Sequence, residues 1–498
     1  MSSVHLPVLV TVLPLPVALV LPLLKRRWSA AIAGPVSVTI LLVSTVAAAV
    51  SLASVIAHGA YRYTFGGWTS AIGVEFVVNE YTAVMALLFT VTALLITVYA
   101  LREARSDVQP GVTGGYFTLI LVTVFSMVGL AYTNDLFNLY VFMEVLSISS
   151  CAIVTINGHK DNLYAGLKYL IIGTVGSITI LLGMAMLYMV SGTLNISMNG
   201  EVMTRLWVQY PVNVRIALVL ILVGFGIKAA VFPMHTWLPG AHSVAPAPSS
   251  AILSALVVKA YIVGALKVLF VGFGTETLLS TFVPPALVWV GLAAMLAGSG
   301  LALGQQKVKR ILAYSTVAHI GFIVLGIGLF TETGLTVALF HVIAHALLKT
   351  GLFLSAGAVI HRTGKQFVGE YAGVGYRMPL TMLVFTTCAL GMIGIPGTNG
   401  FISKWYLIVA AAEAGRPIVL PFILLSSFMN ALYYIPIVTR AFIQRSTAED
   451  HVMRRDEIPW STRLPLTVIA LLVVATGLFP NVVMGIVRVS AVQLLGGF

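Results

Sequence analysis

Apolar runs of roughly 20 residues recur about fourteen times along this chain, and that recurrence constrains its fold more than any other feature. In hydrocarbon every backbone amide must be satisfied internally, so such runs become transmembrane helices. They fall at residues 7–24, 30–57, 80–101, 113–132, 136–156, 163–191, 214–232, 245–271, 282–303, 311–330, 334–360, 380–411, 417–439 and 464–486. Only 9% of the 498 residues are charged, against about 25% in soluble domains. No polar linker divides the chain, so residues 1–498 are expected to form a single all-α polytopic membrane domain. Cys151 and Cys388 both sit in apolar runs and suggest neither a metal site nor a disulfide framework.

The net charge of +12 invites a nucleic-acid reading, which its distribution argues against. Seventeen Lys and Arg residues fall in loops on one side of the predicted membrane and five in loops on the other. The richer side is predicted to be cytoplasmic, in a prokaryotic plasma membrane, and an even number of spans then puts both termini outside. Lys25-Arg26-Arg27 follows the first apolar run instead of preceding it, the reverse of a cleavable signal, so that run is expected to remain as a helix.

Two spans are interrupted beside a lysine. One reads Gly224-Phe225-Gly226-Ile227-Lys228, followed by Pro233, and the other Gly394-Ile395-Pro396-Gly397-Thr398-Asn399-Gly400, followed by Lys404. Non-helical backbone at membrane depth persists only inside protein or beside a wet cavity, and paired breaks mark transport sites in repeated folds. The breaks lie five spans apart. An odd offset reverses orientation, so residues 113–271 and 282–439 are expected to be inverted five-helix repeats.

Glu144 is the one acidic residue predicted deep inside a span, and Lys168, Lys228, Lys259, Lys267, Lys349 and Lys404 are predicted to join it at depth. A charge at the bilayer centre costs roughly 3 kcal/mol on the mildest scale, so these residues are candidates for function. A carboxylate–lysine pair whose separation changes takes up and releases protons, and Lys228 is the natural partner of Glu144. The alternative is a static ion pair that fixes helix packing. Lys267 and Lys168 sit near span ends and read as structural, with Lys267 placed to snorkel. His341, His345 and Lys349 share one helix face at a spacing of four, and His319 extends that stripe from the preceding span. Two histidines without a third ligand favour proton transfer over metal binding. The expected line is Glu144, Lys228, Lys259, His319, His341, His345, Lys349 and Lys404. No nucleotide loop, haem motif or other cofactor site is evident.

At these residues the chain resembles the antiporter-like membrane proteins of complex I, membrane-bound hydrogenases and Mrp-type cation/proton antiporters. The likeness rests on Asn134 to Leu146, Ala165 to Tyr169, Lys228 to Lys259 (with His235-Thr236-Trp237-Leu238-Pro239), Gln306 to Gly321, His341 to Phe353, and Ile395 to Lys404. The resemblance implies fourteen helices, two inverted repeats and a proton path through Glu144, Lys228, Lys259 and Lys404. A lysine at 404 and the absence of a long C-terminal extension look like the D-type member of Mrp antiporters. On that reading the chain is part of a secondary transporter and not an enzyme. It would exchange a monovalent cation such as sodium for protons beside a larger homologous subunit and several small ones. The alternative is a proton-pumping membrane subunit of a complex I-like oxidoreductase or hydrogenase.

Overall fold

A computed structural model describes residues 5–23, 26–70, 73–109, 111–444 and 456–496. Among them, thirteen helices are long and apolar enough to cross a membrane. They begin with α1 (Leu6–Leu23), α2 (Arg26–His58), α3 (Glu80–Asp107), α4 (Thr113–Tyr132), α5 (Leu136–Thr155) and α6 (Lys160–Ser191). An amphipathic segment, α7 (Ile196–Gln209), leads into α8 (Pro211–Lys228), the short α9 (Leu238–Val244) and α10 (Ala247–Leu279). Then follow α11 (Val283–Leu303), α12 (Val308–Gly328) and α13 (Glu332–Thr363). Two half-helices, α14 (Pro379–Ile393) and α15 (Asn399–Glu413), are separated by a break and lead to α16 (Leu420–Phe442), α17 (Trp460–Leu478) and α18 (Pro480–Gly496). The fold is the expected all-α polytopic one.

Local chemistry sets the boundaries. Asp135 caps α5 by accepting from the Asn138 amide at 2.7 Å, and Asn195 caps α7 by accepting from Met198 N at 3.1 Å. Gly192 and Gly364, with φ of 69° and 71°, end α6 and α13 in left-handed caps. α10, α12 and α13 form the centre, and in each, 94% of the most apolar window is buried. These three helices carry five of the eight predicted pathway residues: Lys259, His319, His341, His345 and Lys349.

The structure departs from the expected spans at three places. The run predicted to end at 486 stops at Leu478, where Phe479 leaves helical geometry and Pro480 starts α18, which packs on α13 and α3. The segment read as the loop 193–213 contains α7. Tyr61–Thr64 (β1) and Glu75–Val78 (β2) pair as an antiparallel hairpin, with Arg62 opposite Val77. Of the basic residues counted in loops, Lys25, Arg445, Arg454 and Arg455 lie outside the described residues.

Candidate functional site: a line of buried protonatable groups

α8 ends at Lys228, and the chain turns through Ala229 to Trp237 before α9 resumes. The turn leaves C-terminal carbonyls of α8 without helical partners. Trp237 Nε1 donates to Ile227 O at 3.0 Å, and its ring stacks on Tyr169 with centroids 4.1 Å apart. Pro233 lies inside this turn, and Ala230 takes a left-handed φ of 55°. The expected break is present, and α8 itself remains regular down to its last residue.

Lys228 points from that helix end toward α5. Its Nζ lies 3.2 Å from Glu144 Oε1 and donates to Ser147 Oγ at 2.9 Å. Ser177 Oγ donates to the same Glu144 oxygen. The lysine side chain is fully buried, while that of Glu144 keeps 27% exposure, so the carboxylate faces outward from α5 and is not sealed in the core. Glycine makes room here: a Cβ on Gly224 would lie 2.7 Å from the Gly176 carbonyl oxygen, so a side chain would push α8 away from α6.

Lys259 lies on α10 between two π-helical stretches, Leu253–Val257 and Lys267–Gly274. The wider turn leaves Ser254 O free to accept from Lys259 Nζ. Ser254 Oγ is 2.8 Å from Thr316 Oγ1, which donates to Leu312 O at 3.0 Å. Lys349 Nζ donates to the same carbonyl at 2.8 Å and to Ser315 Oγ, and Ser315 is hydrogen-bonded to the Tyr434 hydroxyl. One backbone oxygen on α12 thereby joins the neighbourhoods of Lys259 and Lys349.

The histidines form a third group. His319 Nδ1 is 3.1 Å from His341 Nε2, His341 Nδ1 is 2.8 Å from Ser403 Oγ, and Ser403 Oγ donates to Gly400 O at 3.0 Å. A serine has one hydrogen to give, so His341 Nδ1 must be the donor to Ser403. For neutral rings, His341 Nε2 then accepts from His319 Nδ1, and His319 Nε2 accepts from Asn430 Nδ2 at 3.1 Å. The Asn430 amide is oriented by donating to Met392 O, also at 3.1 Å. Lys404 Nζ donates to that carbonyl at 2.7 Å and to Ile393 O at 2.9 Å, capping the end of α14. His345 stacks on His319 and His341 with centroids 5.1 and 5.7 Å away, and its ring nitrogens have no protein partner among the described residues.

The second break runs from Gly394 to Thr398. Gly394 and Gly397 have φ of 94° and 88°, a region that L side chains rarely enter. Pro396 lies between them, and Gly400 opens α15 against the Gly391 carbonyl.

All eight predicted residues therefore lie in three polar groups: Glu144 with Lys228; Lys259 with Lys349; and His319, His341 and Lys404 with His345 stacked alongside. Lys228 Nζ stands 5.8 Å from the centre of the Tyr261 ring on α10, the helix that also carries Lys259. Lys168 is exposed, as its position near a span end suggested. Lys267 does not snorkel. It is fully buried, and its Nζ donates to the carbonyls of Leu130, Ala131 and Thr133, because the helix end of α4 offers it acceptors inside the protein. Sequence reading overlooked the hydroxyls and amide that connect the charged groups, Ser147, Ser177, Ser254, Ser315, Thr316, Ser403 and Asn430, because such residues are common in membrane helices. It also left Glu103 in a loop, although it is 3% exposed and 3.7 Å from His361. Among the described residues no group of three or more His, Cys, Asp or Glu could hold a metal ion.

Residues 133–430 match the family described as NADH:quinone oxidoreductase/Mrp antiporter, transmembrane. The chain is 36% identical over 491 residues to NADH-quinone oxidoreductase subunit N of Desulforudis audaxviator (strain MP104C), with 96% of each chain covered. It is 28% identical over 396 residues to the D component of the Na(+)/H(+) antiporter of Bacillus subtilis (strain 168), covering 78% of this chain and 77% of that one. A chain of the Mrp complex from Dietzia sp. DQ12-45-1b superposes with a TM-score of 0.89 at 26% identity, covering 99% of this chain and 98% of that one. A chain of the membrane-bound sulfane sulfur reductase, an archaeal respiratory membrane complex, gives 0.90 at 28% identity with the same coverage. The subunit N relative overturns the expectation of a transporter component unconnected with any enzyme, since its name places it in an oxidoreductase. With more than half its length matched, the chain belongs to the NADH:quinone oxidoreductase/Mrp antiporter family of multi-pass membrane subunits.

Proposed function

We propose that this chain is a proton-translocating membrane subunit of a redox-driven respiratory complex of the NADH:quinone oxidoreductase type. The observation that carries the proposal is the Glu144–Lys228 pair at 3.2 Å, at one end of a series of enclosed Lys and His side chains. Glu144 takes up a proton at the outward face of α5, and loss of its charge releases Lys228 toward the interior. Lys259, Lys349, His345, His319, His341 and Lys404 continue the path, with mobile water joining the three groups. Pro233, Pro396, Gly397 and Gly400 hold the two breaks, in repeats spanning 113–271 and 282–439. The basic loops face the cytoplasm and both termini face outward. Partner subunits supply the electron transfer, and the 36% identity to a subunit N over nearly the whole chain supports that setting.

A second reading, monovalent cation/proton antiport beside a larger homologous subunit and several small ones, rests on the likeness to the Bacillus antiporter component and on a lysine at position 404. Mild-detergent purification of the native complex followed by mass spectrometry separates the two. Flavin or iron–sulfur subunits accompanying the chain support the first, and only small cofactor-free membrane subunits with a larger homologue support the second. In either complex, Lys228→Ala and Glu144→Ala should each abolish proton translocation without loss of assembly. Normal rates in either variant would remove that residue from the path.

A further inference from the structure

An apolar groove of about 240 Å³ lies between α8, α10, α11 and α12, away from the polar line. Its walls are hydrocarbon, and it opens to the outer face of the bundle past Val219, Val223 and Phe282, which are 39%, 40% and 52% exposed. It runs along α8 from Val219 to Gly226, about 10 Å at 1.5 Å per residue, and ends at Val231 and Met234 in the turn after Lys228. On α8 the groove starts at Val219, about 13 Å along the helix from the turn at 210, and reaches Gly226 at about 24 Å, while at the head of α11 it starts at Phe282, beside the turn at 281. A helix of 10–12 Å diameter is far too wide for such a volume over such a length.

The residue one turn above the groove is Arg215, on the same stripe of α8 as Val219, Leu222, Val223 and Gly226. Arg215 is exposed, and its guanidinium lies 5.1 Å from the centre of the Trp207 ring on α7. Among the described residues it makes no ion pair. A cation braced by an aromatic ring at the membrane interface, directly above a hydrocarbon slot, matches the two ends of one molecule.

We propose that this groove is a phospholipid site, holding one acyl chain between the four helices with the headgroup phosphate on Arg215. The chain end lies against the turn that follows Lys228, so the bound lipid packs beneath the first helix break.

The test uses the native complex in nanodiscs containing phosphatidylglycerol with a diazirine at the end of one acyl chain. Photolysis should label Met234 and Ile262, at the deep end of the groove. Ala286→Trp, which fills the slot, should remove that labelling, and Arg215→Gln should reduce it several-fold while labelling of the exposed α6 residues Leu170 and Ile171 stays unchanged. Arg215 lies outside the packed interior, so this second variant decides the matter if Ala286→Trp does not assemble. Labelling confined to α6, unchanged labelling in Arg215→Gln, or crosslinks from the groove to another subunit's helix would each overturn the proposal.

Discussion

Lys228 and Lys267 are both buried amines on neighbouring helices, and their partners separate their roles. Lys267 donates to three carbonyls at the end of α4, a contact that a helix terminus offers a cation permanently and that contributes roughly 0.3–2 kcal/mol. Lys228 meets a carboxylate and a hydroxyl, and the carboxylate can lose its charge. The same logic assigns weight to Ser403, which fixes the tautomer of His341 and through it that of His319. Ser403→Ala removes a hydrogen bond worth about 1 kcal/mol, enough to shift the tautomer ratio roughly fivefold. Proton flux in proteoliposomes should fall by up to about that factor, with Ser403→Thr retaining most of it; full flux in Ser403→Ala would take the serine out of the path. The charged residues were legible in the sequence because a lysine or glutamate in an apolar run stands out by its transfer cost. Ser403 and Asn430 were not, since neither is expensive enough at depth to be conspicuous, and their importance comes from neighbours more than 60 residues away.

At the scale of elements, the breaks were legible and what they do was only partly so. Pro396 and Gly397 announce an interruption, but the sequence does not show that Lys404 returns to cap the helix it follows or that α15 starts against α14. A Cβ on Gly400 would overlap the Gly391 carbonyl oxygen. Gly400→Ala should therefore destabilise the protein by about 1–3 kcal/mol through overpacking, read as a lowered Tm in detergent. An unchanged Tm would mean that the half-helices separate freely. The β1–β2 hairpin escaped notice because its strands have four residues each and lie between long apolar runs. Its anchor is Glu75. Burial raises the pKa of that carboxyl, but hydrogen bonds from Ser70, Asn134 and Asn195 and the charge of Arg62 outweigh burial and hold it below the usual carboxylate value. A depressed pKa stabilises the fold above the unfolded value, near 4.3, and the contribution disappears as pH falls through the lower folded value. Amide protection factors in residues 61–70 and 73–78 should fall on acidification below about pH 4.3, and Glu75→Gln should show lower protection already at neutral pH and lack that dependence. Equal protection of the two proteins at neutral pH would contradict the anchor.

On the whole molecule, the polar line does not begin in the centre. Glu144 stands on the outward side of α5, whose Phe137, Val141 and Ile148 are 55%, 41% and 60% exposed, while the most enclosed helices hold the middle of the line. Periodicity placed Glu144 at mid-span but could not say which way it points, because the polar residues of α5, Asn138, Glu144, Ser147, Ser149 and Ser150 among them, do not gather on one face. Lipid is a poor neighbour for a carboxylate, and the two solved structures that the chain resembles at TM-scores of 0.89 and 0.90 are membrane complexes. The face around Glu144 is therefore expected to be a contact with another membrane subunit. A single cysteine at Ile148, one turn from Glu144 along α5, gives the readout, provided Cys151 and Cys388 are first replaced by alanine. In the purified chain that thiol should react readily with a membrane-permeant maleimide. In the native complex its labelling should fall at least tenfold, while a cysteine placed instead at Leu170 on α6 reports how much of the adjoining face is covered. Equal labelling at Ile148 in both preparations would show that Glu144 faces lipid, and the source of its proton would then have to lie within this chain.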